Sequence, residues 1–262
     1  MAARSDLVQC RRMRTTLVLS SPRKLSPDCP VKLVEALEIL KKNPTAESPA
    51  LQVQLACGFT PLHFQTFLGA HLRGAFPAHR VGAFGDLAGN LERLAGLQAS
   101  TVVAVIEGSD LDPRLGIRIL GGWRPNQLGE FLQAARLQAA RIRTAFETLA
   151  PENTLVVVLP TLPIPPVAFT SGSQASVLEY ELYSLRASIA SKLLQLQSVR
   201  VVNPQKLNEL SPIWNRFDAK AELNTGFPYS LNHADILARL VTVLVSNPQP
   251  KKGLITDLDN TL

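Results

Sequence analysis

Short apolar runs alternate with longer stretches of helical periodicity along most of this chain, and that alternation restricts the folds open to it. Strand-like runs fall at Leu51 to Cys57, Arg80 to Phe84, Thr101 to Ile106, Thr154 to Leu159 and Val199 to Val202. Around and between them, helical spacing of apolar residues marks Val31 to Lys42, Leu62 to Leu72, Asp86 to Leu97, Asn126 to Leu149, Gln174 to Leu196 and His233 to Val245. Strands separated by helices cannot pair as hairpins. They join through right-handed crossovers into a parallel sheet with helices on both faces. The expected class is three-layer α/β, flavodoxin-like, with a mainly parallel sheet over residues 31 to 250. Runs such as Thr154-Leu155-Val156-Val157-Val158-Leu159 suit central strands buried on both sides.

Charge and composition remove several function classes. The net charge of +6 is concentrated at the start: residues 1 to 24 hold Arg4, Arg11, Arg12, Arg14, Arg23 and Lys24 against Asp6 alone. The rest is close to neutral, so a nucleic-acid footprint is missing from the folded part and no nucleic-acid partner is expected. Residues 1 to 30 read as a basic, flexible tail. No apolar run approaches the ~20 residues that cross a bilayer, so no membrane association is expected either. Cys10, Cys29 and Cys57 are odd in number and widely spaced, giving neither a disulfide framework nor a paired metal knuckle. Reduced thiols and a cytoplasmic location follow as expectations.

Ligands of parallel α/β sheets sit beyond the carboxyl ends of the strands. The loops of interest are therefore Gly58 to Pro61, Phe84 to Asp86, Glu107 to Leu115 and the Pro-rich Pro160 to Gly172. A second chemical signal closes the sequence. Gly253-Leu254-Ile255-Thr256-Asp257-Leu258-Asp259-Asn260-Thr261-Leu262 reads as a buried strand delivering two carboxylates to its end. Asp257 and Asp259 fall on the same side of such a strand. Two acids held together suit a hard cation such as Mg2+, leaving one to attack a phosphoryl group and the other to move the proton.

This D-x-D-x-T arrangement resembles motif one of the haloacid dehalogenase superfamily. An α/β domain followed directly by that strand looks like the amino-terminal half of FkbH-like proteins, bacterial enzymes that place an SGNH-like domain before a haloacid dehalogenase domain. On that resemblance, residues 251 to 262 are the truncated first strand of the second domain, and Asp257 and Asp259 are its catalytic and metal-binding acids. The resemblance implies dephosphorylation of 1,3-bisphosphoglycerate, a phosphorylated small-molecule substrate, and glyceryl transfer to an acyl carrier protein for polyketide extender units.

SGNH hydrolases carry a nucleophilic serine after the first strand, a glycine and an asparagine that bind the oxyanion, and an Asp-x-x-His near the end. The matching positions here are Gly58-Phe59-Thr60, then Gly82 or Gly85, then Glu107-Gly108-Ser109-Asp110, then Ser230-Leu231-Asn232-His233. Thr60 and His233 are the degenerate catalytic positions, and Gly58, Gly85, Ser109 and Asp110 the candidate substrate-binding ones. The missing aspartate and asparagine weigh against ester hydrolysis, because such losses cost on the order of 100-fold to 10,000-fold in turnover. The alternatives are a stand-alone ester hydrolase or acyltransferase using Thr60 and His233, and a non-catalytic carrier-protein docking module. In a purely structural role, Thr60 would cap the helix starting at Pro61, Asn232 or His233 would start the last helix, and Asp110 or Asp112 would cap the turn before Pro113. His63, His71 and His79 are too scattered to converge on a metal, and Trp123 and Trp214 read as packing residues.

Overall fold

The computed structural model describes residues 30–42, 53–72, 83–95, 101–119, 127–164, 171 and 173–246. Four parallel strands, β1 (Val53–Cys57), β2 (Thr101–Val105), β3 (Thr154–Val158) and β4 (Val199–Val201), lie side by side in sequence order. The register is unbroken: Leu55 sits opposite Val103, Val103 opposite Val156, and Val157 opposite Val201. This is the flavodoxin-like α/β fold expected. Of the fifth expected strand, residues 80–82 lie outside the described residues, while Ala83 and Phe84 belong to a turn. The expectation fails at Ala83 because its N–H and C=O are both taken by the Asn90 side chain, leaving nothing for a ladder.

Nine described helices flank the sheet: α1 (Leu33–Lys42), α2 (Leu62–His71), α3 (Leu87–Glu92), α4 (Gly108–Leu111), α5 (Leu128–Leu149), α6 (Val177–Leu193), α7 (Pro204–Leu210), α8 (Ala219–Thr225) and α9 (Leu231–Ser246). Strand side chains alternate between two cores. Leu55, Val103, Val105, Val156 and Val158 meet Phe64, Phe67 and Leu68 of α2 and Leu237 and Val241 of α9. Ala56, Val102, Ala104, Leu155 and Val157 meet Leu91 of α3, Ile142 and Phe146 of α5, and Leu182 and Ile189 of α6. The central strands are apolar throughout because both faces are covered, and β2 has no exposed position.

Local chemistry sets the helix ends. α6 starts three residues later than its periodicity suggests, because Ser176 and Glu179 form a reciprocal capping box. At α9 the cap is Ser230, whose hydroxyl accepts from the His233 N–H, rather than Asn232 or His233. Asp112 accepts from the Arg114 N–H and so caps the turn at Pro113. Trp214 is 78% exposed on a short 3-10 turn, so it does not pack as expected; Trp123 lies outside the described residues.

One polar pin in the α2–α9 layer has no counterpart in the apolar pattern. Asp235, 1% exposed on α9, accepts from the His71 ring at 2.7 Å and from the Val31 N–H at 3.1 Å. It ties the start of the described chain and the end of α2 to the last helix. Asp235→Ala strands both donors in a buried site, so urea denaturation is expected to show a loss of about 3 kcal/mol.

Candidate functional site

At the carboxyl end of β2 the chain leaves an all-apolar strand and places Glu107, 2% exposed, over the edge of the sheet. A buried carboxylate needs donors on nearly every lone pair. The loop after β3 supplies the Thr161 hydroxyl at 2.6 Å and the N–H groups of Thr161 and Leu162 at 3.1 Å. The segment before α9 supplies the Tyr229 hydroxyl at 2.6 Å. Burial raises the pKa of Glu107, and the bonds from Thr161, Tyr229 and the Leu162 N–H pull against that rise. Burial and the charge of Glu107 hold Tyr229 well above the usual phenol range, so it keeps its proton and donates it to Glu107.

The network continues to His233, which is fully buried. Its Nε2 lies 3.1 Å from the Thr161 hydroxyl and its Nδ1 lies 2.9 Å from the Ser211 hydroxyl. The hydroxyl proton of Thr161 is committed to Glu107, so Thr161 can only accept from His233. This places the ring hydrogen on Nε2 and leaves Nδ1 to accept from Ser211. Burial, helped by the charge of Arg216, pushes the imidazole pKa down to about 3. Arg216 in turn donates to the carbonyls of Ser211 (Nε 2.9 Å, Nη2 2.7 Å) and Thr161 (Nη1 2.8 Å), and to Asn208 Oδ1 at 2.6 Å.

Thr60 stands elsewhere along the same edge. The structure brings Gly58, Thr60, Gly85 and Asp110 around one crossing of loops, and it gives His233 to Thr161 and Ser211. The Thr60 N–H donates to the Gly226 carbonyl at 3.0 Å, and the Gly85 N–H donates to the Gly58 carbonyl at 2.6 Å. These are the two backbone donors that an oxyanion hole of SGNH type would require, and both already serve carbonyls. Thr60 does not cap α2 either: Pro61 holds the cap position with no side-chain bond. Leu62 follows with φ +22°, a strained backbone for a branched residue, right where the loop turns into the helix.

Two glycines are required here by contact. A Cβ on Gly58 would stand 1.8 Å from Oδ1 of Asp110, and one on Gly226, at φ +74°, would meet the Phe84 ring at 2.6 Å and the Thr60 hydroxyl at 2.9 Å. Asp110 accepts from the Glu107 N–H at 2.7 Å, and burial, set against that bond and reinforced by the Glu107 charge, pushes its pKa up to about 7. Ser109 is exposed at the start of α4. Among the described residues no three His, Cys, Asp or Glu side chains gather in a way that could hold a metal, and no helix is long and apolar enough to cross a membrane. Asp257 and Asp259 lie outside the described residues.

The sequence matches no protein-family model and no curated protein. Among solved structures, it is similar to the N-terminal part of the protein BF1531 from Bacteroides fragilis, which contains a phosphatase domain and was crystallised with Mg. The TM-score is 0.59 at 13% identity, over 78% of this chain and 54% of that one. The chain thus spans about half the length of that relative. It is also similar to a GDSL-like lipase from Parabacteroides merdae, with a TM-score of 0.42 at 15% identity over 75% of this chain and 94% of the lipase. At these identities the first likeness is one of fold.

Two buried groups give stability opposite dependences on pH. Asp110 titrates higher folded than unfolded, so its contribution is complete below about pH 4 and is lost as pH rises through about 7. His233 titrates lower folded than unfolded, so its contribution is complete above about pH 6.5 and is lost as pH falls towards about 3. Denaturation midpoints measured from pH 4 to 8 are expected to show a weaker alkaline decline in Asp110→Asn, part of it remaining with Glu107, and a weaker acid decline in His233→Gln.

Proposed function

We propose that the described globule is a hydrolase-type fold without hydrolase chemistry, working beside a phosphoryl-transfer domain of FkbH-like type. The observation that carries this reading is the commitment of the groups that ester hydrolysis would need. The Thr60 and Gly85 N–H groups serve carbonyls, and the lone pair of His233 faces Ser211 in a sealed network. His233 therefore has no proton to take from Thr60. The likeness in fold to the N-terminal part of a phosphatase-domain protein supports the pairing with such a domain.

In this reading Asp257 is the phosphoryl acceptor and Asp259 the acid and base that moves the proton. Both are hard oxygen donors of the kind that hold Mg2+, which when bound offsets charge on the transferred group. The substrate is a phosphorylated three-carbon acid, 1,3-bisphosphoglycerate, and the recipient is an acyl carrier protein in the cytoplasm. The globule, including Gly58, Ser109 and Asp110 at its sheet edge, contributes to holding substrate or carrier.

Intact-mass spectrometry of a holo acyl carrier protein, incubated with 1,3-bisphosphoglycerate, magnesium and the full gene product, tests the transfer. A gain of one glyceryl unit is expected, falling on the order of 10,000-fold or more in Asp257→Asn. Absence of the gain, or its persistence in the variant, contradicts the reading. Against a chromogenic short-chain ester, turnover is expected to stay at background in the wild type, Thr60→Ala and His233→Ala alike.

A further inference from the structure

Helices α5 and α6 cover the same face of the sheet and pack against each other, with an ion pair from Arg136 to Glu181 at 2.5 Å joining them. Between them they form a groove of about 340 Å3. Buried Ala139 and Ile189 and half-buried Leu185 make an apolar floor, while Ala140, Ser184 and Ser188 are exposed along its sides. On α5 the lining runs from Arg136 to Arg143, two turns. On α6 it runs from Glu181 to Lys192, about 16 Å, so the groove follows the helices for three turns.

Shape and charge together define the occupant. Half of the lining residues are exposed, so the groove is an open trough. A small molecule is usually held with most of its surface covered, whereas an amphipathic helix laid in a groove keeps its outer face in water. The small side chains of Ala139, Ala140, Ser184 and Ser188 let a third helix come close. Arg136, Arg143 and Lys192 face Glu181 alone within the lining, and Glu147, one turn beyond, pairs with Arg143 at 3.3 Å, so the balance stays positive. Like charge turns away both a second copy of this face and residues 1 to 24, which hold six basic residues against Asp6. The pairs that Arg136 and Arg143 make at present are exposed, and such pairs are weak enough to exchange for a partner's acids.

We propose that the groove between α5 and α6 is the docking site for an acidic amphipathic helix of a partner protein. Apolar side chains of that helix lie on Ala139, Leu185 and Ile189, and carboxylates two turns apart meet Arg136 and Arg143, with Lys192 at the far end. The proposal stands apart from the transferase reading, in which none of these residues takes part.

The probe is a stapled, fluorescein-labelled helical peptide of about 15 residues, with Glu two turns apart flanking a Leu and Ala face, titrated with the protein by fluorescence anisotropy at about 50 and about 300 mM salt. A peptide with Lys in place of Glu and a single-stranded DNA of about 15 nucleotides serve as comparisons. The acidic peptide is expected to bind, the Lys peptide not to, and the affinity to fall at higher salt. Arg143→Glu and Lys192→Glu each weaken binding by about fivefold or more. Ser188→Trp, at an exposed position, fills the groove and abolishes binding with the thermal midpoint unchanged. Four results overturn the proposal: no binding of the acidic peptide, equal binding of the Lys peptide, tighter binding of the DNA, or undiminished binding by folded Ser188→Trp.

Discussion

A carboxylate buried at the end of an apolar strand organises the carboxyl edge of the sheet in this molecule. Glu107 has nowhere to spread its charge except into the donors around it, and those donors come from two separate parts of the chain, the loop after β3 and the segment before α9. Each bond to an ionised acceptor in a dry site is worth more than an ordinary one. The carboxylate thereby fixes the position of Thr161 and Tyr229, and Thr161 fixes the tautomer of His233. Ser211 and Arg216 then follow from His233 and the two carbonyls.

This order of dependence bears directly on what His233 can do. A catalytic imidazole must present a free lone pair to a nucleophile and keep a pKa near the working pH. Here the lone pair is spent on Ser211, and burial drives the pKa down to about 3. The turn at Thr60 is sharp and includes the strained Leu62, while the N–H groups of Thr60 and Gly85 close on the Gly226 and Gly58 carbonyls.

The architecture was legible because burial on both faces leaves a plain signature. β2 and β3 read as unbroken apolar runs, and α5 was placed to within two residues at its start and none at its end. The expected strand at Arg80 to Phe84 fails in its described part because the Asn90 side chain answers the Ala83 backbone, a contact that periodicity cannot encode. Thr60, Gly58, Gly85 and His233 were singled out by position in a pattern, which says nothing of the groups they bond to. Tyr229, Thr161, Ser211 and Arg216 are far apart in sequence, and only tertiary packing joins them. Glu107 alone carried a readable signal: an acid closing a wholly apolar strand must be buried, and a buried acid must be surrounded by donors.

The most direct test is a double-mutant cycle between Glu107→Gln and Tyr229→Phe, read by equilibrium urea denaturation at pH 7. If Glu107 is the charged hub, removing its charge and removing the 2.6 Å donor are not independent, and a coupling of about 1 to 3 kcal/mol is predicted. Effects that add to within about 0.5 kcal/mol would contradict the account, because the two side chains would then be neighbours without a shared charge between them.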